Sequence, residues 1–189
     1  MRSLKNNLES AIEADDLLLT TSRNIVFTTA SLYLVWHFFA TLAWPEIFNP
    51  AIWMISISMF FLVILTIQLL ARNYLLAQFV WQVGLSLVII LAYDLFQRPE
   101  ITLFFLLLPL IATVTIDRWG TLLVEGMIIL LIIGIQNISF FAPIATGYVN
   151  AVIFGSIFTG FFGWGLSNNL LSALSSASYH YDRARELLE

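Results

Sequence analysis

Between Asn24 and Asn169 the chain is a succession of apolar stretches, each about as long as a helix that crosses a bilayer, joined by very short polar links. That pattern constrains the fold more than any other feature. Apolar segments of ~20 residues match ~30 Å of hydrocarbon. The lipid interior also forces each one to satisfy its backbone internally as a helix. The spacing predicts six spans: 24–44, 51–71, 74–96, 101–116, 119–137, and a sixth from Gly147 to about Asn168 and Asn169. The fourth is the shortest and contains Pro109, so a tilted or re-entrant segment is the alternative there. The expected fold is all-α, an integral membrane bundle of six transmembrane helices.

Composition agrees. Of the 189 residues, 60% are hydrophobic and only 11% are charged, against roughly 25% charged in soluble domains. Mean hydropathy is +0.90. Without cysteine there is no disulfide or thiolate metal site. A net charge of −4 and the lack of a basic cluster argue against nucleic acid as a partner. The polar start, with Glu9, Glu13, Asp15 and Asp16, does not read as a cleavable signal peptide.

Basic residues set the expected orientation. With the N-terminus cytoplasmic, seven of the eight Lys and Arg fall inside: Arg2, Lys5, Arg23, Arg72, Arg118, Arg183 and Arg185. Only Arg98 is outside, in keeping with the positive-inside rule. The expected location is the plasma (inner) membrane, multi-pass, with both termini cytoplasmic. Arg72-Asn73 and Asp117-Arg118 are turns that force antiparallel neighbours, and no outer loop is long enough for a ligand-binding domain. Trp44, Trp53, Trp81 and Trp119 lie near span ends, as an aromatic belt would.

Three regions follow. Residues 1–22 suggest a separate cytoplasmic amphipathic helix, with Leu4, Leu8, Ala11 and Ile12 on one face. Residues 23–169 form the transmembrane domain. Residues 170–189 begin a soluble helix with a heptad seam at Leu170, Leu174, Ala177, Tyr181, Ala184 and Leu188. Just before it, Gly147, Ala151, Gly155, Thr159, Gly163 and Ser167 place a small residue at every fourth position, a pattern for close helix packing in lipid. That stripe serves either a second copy of the chain or another span of the same copy.

Glu125 is the sharpest candidate residue. It lies about 9 Å into its span at ~1.5 Å per residue, and a carboxylate at such a depth is by default a functional hypothesis. It is read as sensing or ligand-binding, as paired with Arg72 or Arg118, or as a snorkelling side chain. His37 is deep in the first span and is read as an interhelical hydrogen-bonding group or a pH- or carbonyl-sensing one. Gln68, Gln78 and Gln82 flank the inner turn, and Gln78 and Gln82 share a helix face. They either glue helices or line a polar sensing pocket with Glu125 and His37. Asp94 and Arg98, at i and i+4, are expected to form a surface ion pair. His180 lacks an acidic residue directly after it and a following proline, so it is not read as a phosphoacceptor. No metal site, cofactor or catalytic constellation is expected from these residues.

The stretch from Asn169 to Leu174, followed by Ser178-Tyr179-His180-Tyr181-Asp182-Arg183-Ala184-Arg185-Glu186, resembles the membrane-exit helix of multi-span bacterial sensor histidine kinases of a kind common in Chloroflexota. Ser178, Tyr179, Ala184 and Arg185 carry the resemblance. It implies a homodimeric sensor whose last helix feeds a histidine kinase module beyond this sequence. The heptad still running at Glu189 fits a fragment of a longer protein. The partners expected are membrane lipid, a second copy and a small apolar or amphipathic ligand. A small membrane transporter, or a structural subunit of a membrane complex, is the alternative function.

Overall fold

The computed structural model describes the backbone of residues 2–43, 50–138 and 141–186, and within them side chains from 18 to 168 apart from 40, 41, 43 and 51. All regular structure among the described residues is helical: α1 (Arg2–Ala43), α2 (Pro50–Leu70), α3 (Tyr74–Phe96), a 3-10 helix (Pro99–Leu106) running directly into α4 (Leu107–Thr115), α5 (Arg118–Asn137) and α6 (Thr146–Glu186). Among the described residues, four stretches are long and apolar enough to cross a membrane: Ile52–Leu70, Tyr74–Phe96, Arg118–Asn137 and Thr146–Asn168. The faces pointing away from the bundle carry large apolar side chains such as Phe60, Phe61, Phe79, Leu123, Leu130, Phe154 and Phe158.

The turns are fixed by local chemistry. Asn73 caps α3 by accepting from the Leu76 N–H. Asp117 Oδ1 accepts from the N–H groups of Trp119 and Gly120 at 2.8 and 2.9 Å, which starts α5 at Arg118. Each cap satisfies amides that a helix start leaves without partners. Gln97 ends α3 in the left-handed region, with φ 52°. Arg98 therefore lies beyond the helix, the i,i+4 geometry expected of Asp94 and Arg98 is lost, and no ion pair joins them.

The fourth segment departs most from expectation. It begins at Pro99, and its first eight residues are 3-10, followed by nine α-helical ones. At ~2.0 Å per 3-10 residue and ~1.5 Å per α residue the whole segment is about 30 Å long. This short segment is also the hub of the bundle. It touches α1, α3, α5 and α6, and Phe105, Leu108 and Ala112 are fully enclosed in the core with Trp81, Ile128, Ile132 and Val152.

One other expectation is corrected. Trp81 is not in an aromatic belt: it is fully buried at 0% exposure, because it faces the core side of α3. Helix α1 runs without a break through residue 22. Trp44 lies outside the described residues. So do the side chains of Leu4, Leu8, Ala11 and Ile12, of His180 and of the whole seam from Leu170 to Leu188. The α6 backbone remains helical as far as Glu186.

Candidate functional site

The site is built where α4, α5 and α6 converge. The cap at Asp117 sets the phase of α5, so Thr121, Val124, Glu125 and Ile128 fall on its buried face, at helical spacing. Glu125 is 9% exposed, and its Oε2 accepts from Ser156 Oγ of α6 at 3.2 Å. Gly160 makes room for the other carboxylate oxygen. A Cβ at that position would lie 2.8 Å from Glu125 Oε1 and 2.9 Å from Thr121 Cγ2. One turn before Glu125, the Thr121 hydroxyl lies 2.7 Å from that of Thr113 on α4. The two hydroxyls also face the carbonyls of Asp117 and Pro109, at 3.0 and 2.8 Å. With one proton each, they hold two of these three contacts at a time.

A further contact joins α6 to the start of α4. Leu106 is the N-cap of α4, so its carbonyl already accepts the first helical bond, from the N–H four residues on. Thr159 Oγ1 is a second donor to that carbonyl, at 2.7 Å across the α6 interface. Gly155 allows the approach, since a Cβ there would lie 2.7 Å from Leu106 Cδ2. Gly163 likewise faces Leu110 and Thr113. The middle of the small-residue stripe, Gly155, Thr159 and Gly163, therefore packs within the chain. Gly147 and Ala151 at its start are exposed, and Ser167 at its end is half-buried.

The other candidate residues make no hydrogen bond to Glu125. His37 lies between α1 and α2. Its Nδ1 is 3.0 Å from Ser56 Oγ, which in turn is 2.9 Å from the Tyr33 hydroxyl, and Trp53 stands edge-on to the imidazole at 5.4 Å. Gln78 and Gln82 are buried on α3, at 1% and 2% exposure, whereas Gln68 is exposed. The hydrogen bond to the Glu125 carboxylate comes from Ser156, and neither glutamine nor Arg72 nor Arg118 pairs with it. Arg118 lies instead over the Trp119 ring, at 5.6 Å. Of the residues expected to share one pocket, His37 thus lies in a different interface from Glu125, and Gln78 and Gln82 are buried without a hydrogen bond to either.

Sequence reasoning missed Ser156 and Thr159 as the partners of Glu125 and Leu106. The available signal was the density of Ser, Thr and Gly from Gly155 to Gly163. It also missed Ser22, whose hydroxyl is 3.0 Å from that of Tyr74, while Tyr74 donates to the Thr115 carbonyl. No group of three or more His, Asp or Glu side chains among the described residues is placed to hold a metal ion. Chemically, the α4–α5–α6 site offers one carboxylate with a ring of hydroxyls. It suits a hydrogen-bonding or proton-binding role at a helix interface. Comparison with protein families, curated proteins and solved structures finds no match to this chain.

Proposed function

We propose that this chain is the membrane-embedded sensor region of a receptor of the sensor-histidine-kinase type. In this reading six helices cross the membrane with both termini cytoplasmic, and α6 carries the signal outward. The carrying observation is α6 itself, a single unbroken helix of 41 residues. Its apolar part holds Glu125 through Ser156 and the Leu106 carbonyl through Thr159. Its polar part runs on from Asn168 to Glu186, about 27 Å at ~1.5 Å per residue. Any change in packing around Glu125 therefore acts directly on a rigid rod that leaves the bundle. The 3-10 helix supports the six-span count, because it brings the short fourth segment to about the thickness of the hydrocarbon core. The large apolar side chains on the outer faces suit lipid as a partner, and the heptad from Leu170 to Leu188 suits a homodimer.

The transport alternative needs a polar path shared by Glu125 and His37. These two residues belong to different interfaces, α4–α5–α6 and α1–α2, which favours signalling.

The test is a chimera in which residues 1–189 are fused to a kinase module, with one to seven residues inserted after Ala173. A signalling helix gives an output that varies with insertion length and returns at seven. Glu125→Gln or Ser156→Ala then shifts the basal output. Output that is indifferent both to phase and to these two changes would refute the proposal. Single cysteines at 174, 181 and 188 that fail to crosslink would refute the parallel dimer.

A further inference from the structure

The grip of the bundle on α6 changes along the helix. The link that precedes it is fastened down. Tyr93 of α3, only 2% exposed, donates to the Ala142 carbonyl at 2.5 Å, and Gln136 of α5 donates to the Ile144 carbonyl at 2.6 Å. Each bond satisfies a loop carbonyl held against the bundle. Pro143 lies between the two carbonyls, and its fixed φ stiffens the link. Ile144 is buried in the same core cluster as Val152, with Tyr148 and Val149 packed against that cluster. Tyr148 also donates to Glu100 Oε1, at 3.3 Å. The link and the first turns of α6 are thus held by bulky apolar side chains, and by hydrogen bonds to α3, α5 and the 3-10 helix.

Beyond Val152 the grip is of another kind. Gly155, Gly160 and Gly163 meet Leu106, Glu125 and Leu110 only because they lack a Cβ, and Ser156 and Thr159 add hydroxyl contacts. From residue 164 to 168 no side chain is fully buried. Displacing bulky buried side chains opens cavities, whereas parting a glycine contact opens little. A force at the far contacts therefore meets least resistance when α6 tilts about its first turns. We infer that the strap 141–145 and the turn 148–152 form a fixed pivot, and that α6 is a lever whose far end swings sideways instead of sliding along its axis. Val152 to Gly163 spans about 16 Å, and Val152 to Glu186 about 51 Å, at ~1.5 Å per residue. A sideways shift of ~1 Å at Gly163 thus becomes about 3 Å at Glu186. A slide would instead move every level alike. The lever rests on the signalling reading for its purpose, while the pivot is a property of the bundle alone.

The chain has no cysteine, so pairs of spin labels can be introduced at chosen sites. Double electron–electron resonance on the full chain in lipid nanodiscs compares two pairs, with α2 as the frame. Ile57 with Asn150 reads the pivot, Leu65 with Leu166 reads the far contact, and all four residues are exposed. Gly163→Leu serves as a wedge, since a Cβ there already lies 2.9 Å from Leu110 Cδ1. Gly163→Ala is the smaller wedge, should the larger one block folding. The Leu65–Leu166 distance should change at least twice as much as the Ile57–Asn150 distance. With the strap cut by Tyr93→Phe and Gln136→Leu together, the same wedge should move both pairs alike. Equal shifts with the strap intact, no shift at either pair, or a pivot that survives cutting the strap would overturn the inference. The kinase chimera reads output separately. Unequal shifts with output indifferent to the wedge would refute signalling and keep the lever, and equal shifts with altered output would do the reverse.

Discussion

Thr159→Val is the sharpest test of how the fourth segment is held. Valine keeps the shape of threonine and removes only the hydroxyl. Two contacts depend on that hydroxyl: 2.7 Å to the Leu106 carbonyl and 2.9 Å to the Ser156 carbonyl of its own helix. The Ser156 carbonyl lies inside α6 and keeps its helical N–H donor. The Leu106 carbonyl likewise keeps a donor four residues on, because Leu106 is the N-cap of α4. Thr159 is thus a second donor on each carbonyl, and its loss strands neither. Interhelical hydrogen bonds in membrane proteins average about 0.6 kcal/mol and reach about 1.7 kcal/mol. The expected cost belongs near that average, about 0.5–1 kcal/mol, or roughly twofold to fivefold in the unfolding equilibrium. The assay is reversible unfolding in mixed micelles. Stability unchanged by Thr159→Val would refute the argument that this hydroxyl helps to hold the fourth segment against α6.

The remaining predictions use the same unfolding assay. Gly160→Ala drives a methyl group to within 3 Å of the Glu125 carboxylate and Thr121 and should destabilise by about 1–3 kcal/mol. Gly126→Ala on the same bundle has nothing within 4 Å of the new Cβ and should be neutral or stabilising by up to ~1 kcal/mol; a matching loss at both positions would remove the steric explanation. Asp117→Ala leaves the amides of Trp119 and Gly120 without their cap and should cost about 1 kcal/mol, with faster hydrogen exchange confined to the first turn of α5. Gly84→Ala collides with Leu62; its cost should shrink in a Leu62→Ala background, and strict additivity of the two would contradict the register of the α2–α3 hairpin.

The helix order and the two short turns were legible because hydropathy falls sharply at Arg72-Asn73 and Asp117-Arg118, and Asn and Asp stand where caps are needed. The 3-10 form of 99–106 was not. Its bonds differ from α-helical ones by a single residue of register, which leaves no trace in apolar periodicity. The middle of the small-residue stripe packs against the fourth segment, and its start does not. Steps of four residues advance about 40° beyond a full turn of a 3.6-residue helix, so five steps rotate the stripe by about 200°. Gly147 and Ala151 consequently point outward while Gly155 and Gly163 pack inward. Trp81 was assigned by distance along the chain to the end of its helix, and that distance does not say which side of α3 it faces. Glu125 was found from the cost of its burial. Its partner was not, because Ser156 lies 31 positions away and is an ordinary helix residue by itself.

The way α6 is attached bears on what it can do. In the segment 146–168 its buried positions are Val152, Ser156, Gly160 and Gly163; of its bulkiest side chains Phe154, Phe158, Phe161, Phe162 and Trp164 point outward, and Tyr148 is half-buried. By contrast, α2 and α3 bury large side chains in the common core, among them Met59, Leu62, Trp81, Leu85 and Ile89. Sliding an interface of interlocked large side chains opens cavities, and the penalty grows with their volume. Sliding an interface of glycines and hydroxyls opens little, and leaves the hydrogen bonds at Ser156 and Thr159 to define the alternative positions. Under the signalling proposal this makes α6 the element with two packings close in energy, and the α2–α3 hairpin the frame against which it moves. A change at Glu125 that weakens the Ser156 contact then alters which position of α6 is favoured without loosening the frame. Glu125→Gln should accordingly shift crosslinking between α6 and α4, while crosslinks between α2 and α3 keep their wild-type yield. Equal changes at both interfaces would mean that the bundle deforms as a whole and that α6 is not a separable moving part.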